Sequence, residues 1–214
     1  MKPIRQRAKT PEQKAARRQH ILEAAADIIM DSSFDELNMI DIAQQVGITK
    51  AALYRYFRNK ESLFLALYEQ SLDELIKASD EAPDNVQDPA KDLAERLLQH
   101  KLFCHLTAIL NAVLERNLTV EEAIEFKLRL TTRMVRFTQI MSDRLDIETG
   151  EALALLFHIQ NCIIGCWHTC NPVGTMKEAL QTPALSMFRL DFDSNLKAHL
   201  QLLTDGFNSR RIAK

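Results

Sequence analysis

Gly47 lies between two short runs with apolar residues at helical spacing, and this constrains the chain more than any other feature. Upstream, Asn38-Met39-Ile40-Asp41 offers an N-cap with a carboxylate three residues on, opening a helix to about Gln45. Downstream, Thr49 offers a second cap, for a helix to about Phe57. Glycine supplies the positive φ of a sharp turn, so helices joined this way cross steeply. Ala43 is small enough for close approach, while Ile42, Val46, Ile48 and Leu53 point inward and hold the pair against the preceding helix. The capped end of the second helix carries the positive dipole end outward, a geometry suited to the major groove of B-DNA.

The flanking chain is helical as well. Thr10-Pro11-Glu12-Gln13 supplies a hydroxyl cap, a proline at the first helical position and an acid-plus-amide pair behind it. Ile21, Leu22, Ala25, Ile28 and Ile29 then form a buried stripe that ends at Asp31-Ser32-Ser33. Asn59-Lys60-Glu61 opens a longer helix with Leu63, Phe64, Leu67, Leu72, Leu75 and Ile76 on its apolar side; it fades into the linker-like Asp80–Asn85. Beyond Pro89 the spacing predicts helices near Asp92–Asn117 with room for one break, Val120–Leu145 and Glu151–Cys170. A Pro172/Gly174/Pro183 region and a last helix to about Phe207 follow. Long strand-like alternation and internal repeats are missing. With only five Gly and six Pro in 214 residues, the reading is all-α.

Net charge is −2 but unevenly placed. From Met1 to Arg18, seven basic residues (Lys2, Arg5, Arg7, Lys9, Lys14, Arg17, Arg18) face the single acid Glu12, about +6 in all. A basic arm on an acidic body suits a protein that meets a polyanion with one end; a solubilising tail is the plainer alternative. No apolar core follows the arm as in a secretion signal, and no window approaches the roughly 18–20 apolar residues of a membrane span. A cytoplasmic protein without membrane association is expected.

The run Gly47-Ile48-Thr49-Lys50-Ala51-Ala52-Leu53-Tyr54-Arg55-Tyr56-Phe57-Arg58-Asn59-Lys60-Glu61-Ser62-Leu63-Phe64 resembles the DNA-binding signature of the TetR/AcrR family, and the likeness extends over about Thr10–Leu67. The resemblance implies an N-terminal three-helix helix-turn-helix domain with its basic arm (residues 1–61). A larger helical effector-binding and dimerisation domain (62–214) would follow. It implies that Asn38, where the family usually has a phosphate-touching threonine, reaches the backbone, and that Thr49, Lys50 and Ala51 approach bases and phosphates. Tyr54 and Tyr56 match the aromatic phosphate-contacting pair, and Lys60 the lysine opening the fourth helix. Arg55 is exposed between the tyrosines. Ala51 departs from a common glycine, which bears on the base contact rather than the fold. Arg5 and Arg7 would follow the backbone or a minor groove.

One recognition helix reads too few base pairs for a genomic address, so a homodimer on a near-palindromic site in double-stranded DNA is expected. The resemblance places the dimer interface on the last two long helices. Cys162 and Cys166 on the first, and Phe192, Leu196, Leu200, Leu203 and Phe207 on the second, form the expected stripe. Phe103, Phe137, Asn161 and Trp167 are candidates to line a pocket for an unidentified small-molecule effector, or are ordinary core. Asn161, among apolar neighbours, needs a partner if buried.

His158, Cys162, Cys166 and Cys170 recur at steps of four on one helix. A soft metal or a thiol switch is one reading, and a cross-dimer disulfide follows if the stripe faces its symmetry mate. Against a shared metal, residues eight apart on a helix are about 12 Å apart. Small apolar packing residues are the simpler account, so no metal and no cofactor are expected. Three function classes stand: a ligand-released repressor, a DNA-organising or division-linked protein without a switch, and an enzyme. The last lacks support, since the chain has no Gly-rich phosphate loop, HExxH or Gly-x-Ser-x-Gly elbow.

Overall fold

The computed structural model describes residues 10–31, 34, 36–83 and 88–212, and no strand occurs among them. The helices are α1 (Pro11–Asp31), α2 (Met39–Val46), α3 (Lys50–Leu53), α4 (Lys60–Asp80), α5 (Pro89–Gln99), α6 (Lys101–Ile109), α7 (Val120–Leu145), α8 (Thr149–Cys170), α9 (Gly174–Ala179) and α10 (Phe192–Ile212). A π-helical turn occupies Leu110–Leu114 and a 3-10 helix Pro183–Phe188. The all-α expectation holds. The basic arm with Arg5 and Arg7 lies outside the described residues.

Two compact units divide the chain. One takes the residues up to Gln70 plus Leu110–Leu118; the other takes Ser71–Ile109 and everything from Thr119. In the first, Ile21, Leu22, Ala25 and Ile29 of α1 form one core with Ile42, Ala43 and Val46 of α2, Leu53 of α3, Phe57, and Leu63, Phe64 and Leu67 of α4. Phe34 closes it, its ring edge-on to Phe64 with centroids 5.3 Å apart.

In the second unit α8 packs on α6, α7 and α10, and α10 also on α5. The break expected in the Asp92–Asn117 run falls at His100, where the chain bends by 84°. A capping box starts α7: Thr119 Oγ1 accepts from the Glu122 N–H at 3.2 Å, and Glu122 Oε2 accepts from the Thr119 N–H at 2.9 Å. Arg133 grips Asp73 through two bonds of 2.9 Å, Arg136 reaches Asp80 at 2.6 Å, and Arg144 donates to the carbonyls of Ala82 and Pro83. These forks tie α7 to the end of α4 and the turn after it.

One expectation is corrected by the length of α8. It is long and apolar enough to cross a bilayer, as is the bent α5–α6 pair taken together. Its apolar residues lie on two sides: Ala152, Leu155, Leu156, Ile159, Ile163 and Cys166 are buried in the unit's own core, while Leu153 and Phe157 are exposed.

Candidate functional site

The turn at the centre of the first unit forms as its sequence requires. Asn38 Oδ1 accepts from the backbone N–H groups of Ile40 (2.8 Å) and Asp41 (3.1 Å), and its amide donates to Asp41 at 2.5 Å. Gly47 takes φ 71° and ψ 35°, and Ile48 N–H returns to the Ala43 carbonyl at 2.9 Å. Thr49 Oγ1 then accepts from Ala52 N–H at 3.1 Å. The α-helix it caps covers only Lys50–Leu53; tighter bonds from Arg55 to Ala52 and from Tyr56 to Leu53 carry the chain on to Phe57.

Leu53 and Phe57 are buried, which fixes the outward side of this element. Thr49, Lys50, Ala51, Tyr54 and Arg55 are exposed there and Tyr56 is half-buried. Tyr54 is 43% exposed, with the Lys50 ammonium 5.8 Å from its ring centroid. Asn38 is also exposed, though its carbonyl oxygen is used by the cap. Arg18 of α1 lies over Phe57 at 5.2 Å.

Lys60 has a different environment from its neighbours. Its ammonium donates to the carbonyls of Phe34 (2.6 Å) and Leu37 (2.8 Å) and sits 4.0 Å from the Phe34 ring centroid. Two of three donors are therefore spent inside the protein, which makes Lys60 a latch on the turn before α2. Its place in the signature gave no sign of this, because the acceptors lie more than twenty residues upstream.

In the second unit Phe103 and Phe137 are buried and Trp167 is half-buried. Trp167 stacks on His105 with centroids 4.6 Å apart at 18°, and meets the edge of Phe192 at 5.0 Å. Burial, and then the nearby His168, push the His105 imidazole down to about 4. His105 Nδ1 and the hydroxyls of Thr107 and Thr138 are buried without a hydrogen-bond partner. Sequence reasoning passed over all three, although a histidine and a threonine inside the apolar run Leu102–Leu110 were a legible signal.

Asn161 is exposed, which corrects the idea of a buried polar group seeking a ligand; the helix register turns it away from Ile159 and Ile163. The stripe expected to be exported from α10 is corrected too. Leu196 and Leu200 are 0% exposed and Phe192 is buried, all facing their own subunit, where α10 packs on α5 and α8; Leu203 is half-buried. Cys166 is likewise buried and Cys162 half-buried. Burial raises the thiols of Cys162 and Cys170, pushes Cys166 up to about 11 and Cys104 to about 12. Among the described residues no three His, Cys, Asp or Glu side chains converge as metal ligands.

The fold and the capped glycine turn define a helix-turn-helix protein with a separate helical second unit. Residues 21–67 match the family described as "Bacterial regulatory proteins, tetR family", and residues 65–211 match "Tetracyclin repressor-like, C-terminal domain". The chain belongs to the TetR family of DNA-binding transcriptional regulators. It is 28% identical over 69 residues to the fatty acid metabolism regulator protein of Bacillus subtilis, covering 32% of this chain and 36% of that one. It is 39% identical over 57 residues to the nucleoid occlusion factor SlmA of Marinobacter nauticus, covering 27% and 29%. These matches span about a third of each relative. A crystal structure described as a possible TetR family regulator from Streptomyces coelicolor shares the fold, with a TM-score of 0.58 at 21% identity over 90% of this chain and 98% of that one.

Proposed function

We propose that the protein is a homodimeric repressor that holds a palindromic operator and leaves it when a small molecule enters its second unit. The observation that carries the DNA side is the outward face of α3, where Lys50, Ala51, Tyr54 and Arg55 stand exposed beside a capped N-terminus while Leu53 and Phe57 anchor the element from below. Lys50 and Ala51 meet base edges; Tyr54, Tyr56 and the Thr49 hydroxyl meet phosphates, and Arg55 reaches either. Asn38 offers phosphate the remaining hydrogen of its amide. Lys60 acts chiefly by fixing the turn.

Support for an effector comes from the second unit's interior. A buried polar atom without a partner costs about 1–3 kcal/mol, and His105 Nδ1, Thr107 and Thr138 are three such atoms. His105 and Thr107, two apart on α6, face different sides of that helix, so a small molecule with an apolar body and one polar group would satisfy His105, with Trp167 as apolar lining. For the dimer, the outward face of α8 carries Leu153, Phe157, Asn161 and Gly165 at steps of four, with Leu202 and Gly206 on α10. A Cβ at Gly165 or Gly206 would meet nothing within 4 Å, so helices of a second copy have room to approach. Cys162 and Leu203 lie at the edge of this face. Such a regulator works where the chromosome is, in the cytoplasm.

Genomic fragments retained by the purified protein test the reading, with a Lys50→Ala, Tyr54→Ala double variant as control. A few palindromic sites beside promoters, lost in the variant and released by a small molecule, are expected. Many dispersed sites indifferent to small molecules would instead favour a DNA-organising role, and no site-specific retention at moderate salt would sink both.

A further inference from the structure

Arg18 lies one turn after Lys14 on α1, so the two share a face of that helix. Both are exposed, and no carboxylate among the described residues pairs with either. The guanidinium of Arg18 sits 5.2 Å from the ring centroid of Phe57, a residue that is itself buried. Contact with a ring face holds a guanidinium while leaving its N–H donors open. By contrast, Arg133 and Arg136 spend theirs on carboxylates and Arg144 on two carbonyls.

The stretch that brings Phe57 into place adds Arg55 and Arg58, both exposed. The acids of the same unit are engaged or lie off this face. Glu12 turns back to the helix start, where its own backbone N–H and the Thr10 hydroxyl hold its carboxyl below the usual carboxylate range. Asp41 accepts from Asn38, Glu61 from Asn117, and Glu36 has a partner as well. Glu23 accepts from Gln19, and its place five residues past Arg18 turns it about 140° around the helix. Asp27 lies further still along α1.

The element capped by Thr49 carries the chain from Lys50 to Phe57. The N-terminal residues of such an element meet base edges, so its far end at Phe57 lies toward the wall of the groove, where the phosphates are. We propose that Lys14 and Arg18 of α1 make a second phosphate contact, gripping the DNA backbone beside the stretch that α3 reads. This rests on the reading of α3 given above. Phe57 is the positioning residue: its ring holds the Arg18 guanidinium in place, so less side-chain freedom is lost when a phosphate is bound. The planar fork of Arg18 fits two phosphate oxygens, and Lys14 adds a point charge one turn away. Such contacts carry no sequence information and raise affinity for any duplex.

Arg18→Met tests this in the full-length protein, because the variant keeps a long apolar side chain over Phe57 and loses the guanidinium. Affinity is measured across a salt series for a genomic fragment that the parent retains and for the same fragment with its sequence scrambled. The slope of log K against log salt is expected to flatten by about 0.9 per subunit on both, with affinity at moderate salt falling by a similar factor on both. Lys14→Ala, which removes an exposed side chain, is expected to give the same flattening, and Arg18→Lys to restore most of the slope. Parental slopes in both Arg18→Met and Lys14→Ala overturn the second contact, as does a loss confined to the genomic fragment. A lower urea midpoint for Arg18→Met at an unchanged salt slope makes Arg18 a cover for Phe57 only, and so overturns it too. If the parent binds both fragments alike, the reading of α3 fails, while the slopes on scrambled DNA still decide the α1 contact. No binding to either fragment at low salt sinks both.

Discussion

The ammonium of Lys60 lies 2.6 Å from the carbonyl oxygen of Phe34 and 4.0 Å from the centroid of the same residue's ring, so one residue holds both the charge and the apolar edge of the latch. Charge-assisted hydrogen bonds contribute about 1.5–3 kcal/mol, and truncation removes the lysine donor from the Leu37 carbonyl and leaves that of Phe34 with only the Leu37 N–H at 3.3 Å. Lys60→Met is therefore expected to destabilise the first unit by about 2 kcal/mol. Urea unfolding followed by circular dichroism measures this. A loss of DNA affinity at unchanged stability would mean that Lys60 is chiefly a phosphate contact.

Lys50 and Tyr54 give the opposite prediction. Both are exposed and neither supports the core, so Lys50→Ala and Tyr54→Phe should leave the unfolding free energy within about 0.5 kcal/mol of the parent. Operator affinity should fall in both. Removing a lysine–phosphate contact should also flatten the slope of log K against log salt by about 0.9 per subunit, whereas a base contact should leave the slope alone. A titration at four salt concentrations thus separates base contact from phosphate contact for Lys50.

How much of this was legible depended on the range of the interaction. Asn38, Gly47 and Thr49 act on backbone groups two to five residues away, so type and spacing alone placed them correctly. The α10 stripe failed for the same reason in reverse. Phe192, Leu196 and Leu200 recur at the correct period, but periodicity cannot distinguish a face turned to its own core from one turned to a partner. Asn161 was misjudged because its neighbours in sequence, Ile159 and Ile163, point the other way on the helix. Lys60 and His105 depend on carbonyls and rings far along the chain, which no local pattern records.

His105 makes stability depend on pH in a stated direction. Its imidazole is held at about 4 in the fold against an ordinary value near 6.5. Unfolding between those values takes up a proton, so stability is fully present above about pH 6.5, declines as the pH falls and levels off below about 4. The full effect is on the order of 3 kcal/mol as an upper bound. His105→Phe should remove this part of the dependence, measured as unfolding free energy at pH 7 and pH 5. An equal drop in both proteins would place the proton uptake elsewhere.

The cysteines should be poor sensors. A thiolate is the reactive species, and burial raises all four thiols, to about 11 for Cys166 and about 12 for Cys104. At pH 8 the folded protein should react with a thiol-specific reagent slowly, Cys162 and Cys170 ahead of the buried pair, with all four reacting at once in denaturant. Treatment with dilute peroxide should leave operator affinity unchanged within twofold. If peroxide instead releases DNA and a reductant restores binding, the His158-Cys162-Cys166-Cys170 stripe is a redox switch after all. In that case Cys162→Ser, altering the half-exposed member at the edge of the proposed dimer face, should abolish the response.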